Sequence, residues 1–135
     1  MFESECHGCV RGAGLSVRAD ELQMRTKKFA LQVIRLRRQF PRCDETFVIG
    51  RQRSATSVAA NYRAACRARS RAEFLAKLGI VVEEADETVF WLELLAEAGV
   101  ISRSLLCEVA DEASQLLAIF AASQLTVKRS LQAKS

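Results

Sequence analysis

Apolar residues recur along most of the chain at spacings of three, four and seven, the period of an amphipathic helix. Leu22, Phe29, Val33, Leu36 and Phe40 form one such stripe and predict a helix over residues 20–40. Pro41 stops it, because proline has no backbone N–H to donate and restricts the residue before it. A second helix is expected over 44–68, with Asp44 as its cap, Glu45 in its first turn, and Phe47, Ser54, Val58, Tyr62 and Ala65 on one face. Ser70-Arg71-Ala72-Glu73 is a capping box and opens a third helix over 71–98. Phe74, Leu78, Val81, Ala85, Leu92 and Leu95 make its first apolar seam, and Leu75, Val82, Val89 and Ala96 a second. A helix with two seams meets more than one partner. Gly99 suits the position just past its end. A fourth helix is expected over 103–128, with Ser102 as its cap. Its inward positions are Leu105, Val109, Leu116 and Phe120, with Leu106, Ala113 and Leu117 beside them.

Residues 1–18 show no period and read as a disordered leader, and 132–135 as a frayed tail. Between them, residues 19–131 predict one all-α domain. Short connections make it an up-down-up-down antiparallel four-helix bundle.

Charge changes this picture. The net charge is +4, unevenly spread. Residues 18–42 carry eight basic side chains against Asp20 and Glu21, and residues 46–72 carry six arginines and no acid. Residues 73–99 carry seven acids against Lys77 alone. Neighbouring blocks of opposite sign suggest pairing, and basic surface left over attracts a polyanion. Candidate phosphate contacts are Arg25, Lys27, Lys28, Arg35, Arg37, Arg38 and Arg42 on the first helix and the loop after it, with Arg63, Arg67 and Arg69 at the end of the second. Most of the aromatic residues read as buried, so binding is expected to be sequence-tolerant and salt-sensitive rather than based on base stacking. Tyr62 and Trp91 read as core or interface anchors.

Enzyme chemistry finds little support. A di-iron bundle needs Glu-x-x-His on two helices, and the one histidine, His7, lies in the leader. Cys6-His7-Gly8-Cys9 is half a zinc motif without a second half. Cys66 has no histidine in the folded region to activate it, and there is no glycine-rich phosphate loop. Neither a cofactor nor a metal is expected. Five cysteines scattered over helical segments are not a disulfide framework, no signal peptide is evident, and no apolar run is long enough to span a membrane. The expectation is a non-enzymatic cytoplasmic protein.

One stripe resists the usual pattern. Gly50, Ser54, Ser57 and Ala60 give the second helix a low profile, so a neighbour can approach closely. Arg53, Ser54, Ser57 and Asn61 are expected to form a polar latch against the third helix, with Arg53 pairing to Asp86 or Glu83.

Arg53-Ser54, Ser57, Ala60-Asn61-Tyr62, Ala65, Ser70, Phe74 and Lys77-Leu78 recur as a set with Glu84-Ala85-Asp86-Glu87-Thr88 and Trp91-Leu92-Glu93-Leu94-Leu95. Across residues 53–101 the chain strongly resembles the four-helix-bundle family of proteins encoded in 23S ribosomal RNA intervening sequences. A weaker similarity extends through the first and fourth helices. The resemblance implies a barrel-like homopentamer. It also implies a relation to the accessory variability determinant of diversity-generating retroelements, a basic pentamer that binds nucleic acid and a reverse transcriptase. The partners expected on this basis are further copies of the chain, RNA or DNA, and a reverse transcriptase. The functional expectation is an oligomeric nucleic-acid-binding accessory protein. The alternative is a scaffold for a reverse transcriptase or another protein.

Overall fold

The computed structural model describes residues 15–39, 45–99 and 101–134. Four helices follow one another: α1 (Leu15–Gln39), α2 (Glu45–Cys66), α3 (Arg71–Glu97) and α4 (Arg103–Ala133). There is no strand among the described residues. α3 is the central element and packs on both α2 and α4, while α1 lies on α2 and touches α4 more sparsely.

The core is assembled from the apolar stripes. Phe29, Val33 and Leu36 of α1 meet Val58, Tyr62 and Ala65 of α2, the first seam of α3, and Leu106, Val109, Ala113, Leu116 and Phe120 of α4. Thr88 fills the step between Ala85 and Leu92 in that seam. It is fully buried and donates its hydroxyl to the Glu84 carbonyl at 2.7 Å, so burial leaves its one donor satisfied. The second seam packs at the edge, with Val82, Val89 and Ala96 only partly buried. Leu105 departs from expectation and is 47% exposed, while Leu106 is buried. The buried positions of α4 run 106, 109, 113, 116 and 120, and Leu105 lies about 100° around the helix from Leu106.

The helix ends depart from the sequence expectation in instructive ways. α1 begins at Leu15, inside the expected leader, because Leu-Ser-Val-Arg follows the last glycine of that stretch and contains no helix breaker. α4 continues to Ala133, beyond the expected end at residue 128. Val127 packs against the core there, and Ser130 accepts a 2.6 Å hydrogen bond from Arg71 Nη1. The capping box forms with a shift. Ser70 Oγ accepts from the Glu73 N–H at 3.1 Å, but the Glu73 carboxylate reaches back to the Arg69 N–H at 2.9 Å, one residue beyond the cap. Ser102 occupies the N-cap of α4 without capping it; its hydroxyl lies 3.2 Å from Ser104 Oγ instead. Gly99 takes φ +68°, the left-handed conformation in which glycine avoids a Cβ clash. Asp44, Phe40 and Phe47 lie outside the described residues or have side chains that do.

Contacts across the helices set their register. Gly50, early in α2, lies against Trp91, late in α3. Gly79 of α3 lies beside Gln124 of α4, and Arg71 at the start of α3 bonds Ser130 near the end of α4. The low profile at Gly50 thus has a definite occupant. A Cβ there would sit 2.5 Å from Trp91 Cε2 and Cζ2.

Candidate nucleic-acid interface

The basic candidates divide into three groups. Lys27, Lys28, Arg35 and Arg38 are exposed on α1. Arg63, Arg67 and Arg69 are exposed along the end of α2 and the turn after it. Arg25 is already engaged. Its Nε donates to both carboxylate oxygens of Glu112, at 3.0 and 3.1 Å, and its Nη2 to Gln115 Oε1 at 2.8 Å. That hydrogen bond and the Glu112 charge hold the Arg25 pKa above its ordinary value, against the opposing effect of burial. Arg25 therefore ties α1 to α4 rather than facing a ligand. The Arg37 side chain and Arg42 lie outside the described residues. Arg51, one of the six arginines of the acid-free block, is 1% exposed and belongs to the interior.

The polar stripe of α2 is arranged differently from the expected latch. Ser54 is buried, at 1% exposure. Asn61 donates its amide to the Ser57 carbonyl at 2.9 Å, one turn back within α2 itself. Arg53 is exposed and forms no ion pair with Asp86 or Glu83, both of which are exposed as well. On the solvated face an arginine keeps its hydration, and an exposed ion pair offers little in return. The charge that Arg53 does influence is Glu84. Burial, followed by Glu87, raises the Glu84 pKa above its ordinary 4.5, with Glu83 adding to the rise and Arg53 opposing it. The folded state thus favours the protonated carboxyl. Its stabilising contribution is complete below the unfolded value and is lost as the pH rises through the raised folded one. Glu84→Gln is expected to melt at a higher temperature than the parent at pH 7.5, with the gain vanishing near pH 4; equal gains at both pH values would contradict this.

Tyr62 is a core residue whose ring stands 4.9 Å from that of Phe120. Trp91 is half-buried against Gly50, with its Nε1 donating to Glu87 Oε1 at 3.2 Å. Cys66 is buried, and Cys107 is exposed. Among the described residues no three His, Cys, Asp or Glu side chains converge as a metal site, and no helix is long and apolar enough to cross a membrane.

Two grooves are found among the described residues. One, of about 750 Å³, runs between α1 and α2 over Met24, Ala30, Leu31 and Ile34, with Lys27 and Arg63 among its lining residues. The other, of about 400 Å³, runs between α3 and α4 over Val89, Leu92 and Leu106, with Glu93, Glu97 and Asp111 along it. One groove is edged mainly by cations and the other mainly by acids. Basic residues missed by the sequence reading of the interface are Arg71, Lys128, Arg129 and Lys134. The run without acids after Glu112 is visible in the sequence, but it is the fold that places it beside the start of α3.

The fold and surface define a small all-α protein with exposed cationic faces. The model of the 23S rRNA-intervening sequence protein family matches residues 20–122, and the chain belongs to that family. A crystal structure of a protein of unknown function from the S23 ribosomal protein family of Bacteroides thetaiotaomicron is similar, with 28% identity and a TM-score of 0.71. The match covers 78% of this chain and 96% of that one. No curated protein matches the chain.

Proposed function

We propose that this protein is a non-enzymatic, self-assembling accessory protein of the cytoplasm that holds nucleic acid by its phosphates. The observation that carries the reading is the exposed cationic surface of α1, whose acids are Asp20 and Glu21, together with the end of α2, which lies in a stretch of 27 residues, 46–72, that contains no acid. Lysine and arginine on such a surface neutralise phosphates and release counterions, which gives affinity without sequence preference.

Self-assembly is supported by exposed apolar side chains. Met24 is 74% exposed, Phe90 51% and Leu125 49%. Large apolar groups left in water on several helices mark association surfaces. The α1/α2 groove with its cations and the α3/α4 groove with its acids are complementary, and two different faces meeting head to tail close into a ring when the rotation permits. Five up-down-up-down bundles in a barrel is the assembly we propose, and several weak phosphate contacts then act together. The apolar floor of the α1/α2 groove favours one second reading, a scaffold for a protein partner such as a reverse transcriptase.

Native mass spectrometry of the purified protein tests this. A five-chain mass carrying polyanion supports the reading, and a clean pentamer moves weight to the scaffold. A monomer without nucleic acid removes both the ring and the avidity. Nucleic-acid affinity is expected to fall steeply between low salt and about 0.5 M salt, and constant affinity would rule out a phosphate mechanism.

A further inference from the structure

Residues 46–72 and residues 113–135 both lack acids. They are far apart in sequence, and the fold joins their ends. Arg71, the first residue of α3, donates Nη1 to Ser130 Oγ at 2.6 Å and so fastens the start of α3 to the last turns of α4. The α2–α3 turn, residues 67–70, reaches the same place through the chain. One end of the bundle therefore gathers Arg67, Arg69 and Arg71 with Lys128, Arg129 and Lys134. All but the half-buried Arg71 are exposed. The acid nearest in sequence, Glu73, already accepts the Arg69 backbone N–H at 2.9 Å and the partial positive charge of that helix start.

The remainder of α3 and α4 has the opposite character. Residues 83–112 hold nine acids and one base, Arg103. Cations near the end of α4 suit the negative end of its helix dipole, which accounts for part of the pattern. It does not account for Arg71, which stands at the positive end of α3, where an anion is favoured. Like charges gathered from three segments repel one another until a polyanion lies across them. The acidic half of a second copy is a rival occupant. Each chain, however, carries a net +4, so pairing between copies leaves cations unneutralised.

We infer that the end of the bundle formed by the α2–α3 turn, the start of α3 and the last turns of α4 is a docking surface for the phosphodiester backbone of RNA or DNA. The inference rests on the nucleic-acid reading above and gives it a location apart from the solvent face of α1. Arginine supplies planar forks and lysine point charges to the same backbone, a combination that needs no particular base.

The test is lysine acetylation footprinting of the intact wild-type chain with a uridine 20-mer, the matching DNA, or polyglutamate, in low salt. Lys27 and Lys28 report on α1, and Lys128 and Lys134 on the basic end. The expected result is that either nucleic acid slows acetylation of Lys128 and Lys134 several-fold and that of Lys27 and Lys28 to a smaller extent, while polyglutamate protects none of them as strongly. The triple variant Lys128→Glu, Arg129→Glu, Lys134→Glu is expected to bind the 20-mer at least about tenfold more weakly. Its log-affinity slope against log salt should be shallower by about 2, since each lost single-strand phosphate contact removes about 0.7. Lys27→Glu with Lys28→Glu is expected to weaken binding of the 20-mer by less than the triple variant does at the same salt. Protection of Lys27 and Lys28 alone would overturn this location and leave the nucleic-acid reading standing. Equal protection by polyglutamate would overturn the choice of occupant. A wild-type chain that binds neither nucleic acid would overturn both readings. The footprint uses unmutated protein, so it decides the matter even if the triple variant fails to fold.

Discussion

Phe120→Ala is expected to lower the free energy of unfolding by about 3–5 kcal/mol, the range for deleting a buried aromatic ring. Phe120 is fully buried near the middle of α4, and its ring lies 4.9 Å from that of Tyr62 at 47°. The contact joins α4 directly to α2, elements that neither the turns nor the capping box connect. Truncation removes apolar burial and leaves a cavity beside the Tyr62 ring. Urea unfolding at fixed chain concentration is the measurement, because self-association would otherwise shift the midpoint. Phe90→Ala is the control. Phe90 is 51% exposed, and its removal should change the stability of the isolated subunit by no more than about 0.5 kcal/mol. Equal losses from Phe120→Ala and Phe90→Ala would mean that the packing described here is wrong.

Gly50→Ala is expected to destabilise the protein although helix propensity argues the reverse. Replacing an interior helical glycine by alanine gains about 1 kcal/mol from propensity. The added Cβ, however, would sit 2.5 Å from two Trp91 ring atoms, so the indole or α2 must move. Forcing an extra carbon into a close-packed contact costs about 1–3 kcal/mol, and here the atom met is a rigid ring whose Nε1 also bonds Glu87. The packing cost therefore exceeds the propensity gain, with a net loss of up to about 2 kcal/mol. A double-mutant cycle with Trp91→Leu isolates the cause. In the Trp91→Leu background Gly50→Ala should become neutral or stabilising, because the clash is gone and the propensity remains. An unchanged loss in that background would place the cause elsewhere.

Much of the architecture is legible from local chemistry. The seam from Phe74 to Leu95 is buried as its spacing predicts, Ser70 caps α3, and Gly99 takes positive φ at its end. These features depend on residues within a few turns of one another, where helical geometry alone decides what meets. The sequence reading loses accuracy where two faces compete or where a distant element intervenes. Leu105 and Leu106 are both leucines at the start of α4, and only the position of α3 decides that Leu106 turns inward. Glu73 could reach the Ser70 or the Arg69 N–H, and the shape of the turn selects Arg69.

The candidate surface divides in the same way. The sequence by itself determines the charge blocks, the acid-free stretches, the family and the low profile around Gly50, because each is a property of composition or of spacing along one helix. Tertiary structure alone decides which charges are spent and which gather. Arg25 is held by Glu112, 87 positions away, and Arg51 is carried into the interior. Arg53 stays in water, and Arg71 finds Ser130, 59 positions on. A charge acts over roughly a Debye length of about 10 Å in space, whatever the sequence separation. Only the folded chain turns two distant acid-free runs into one basic end.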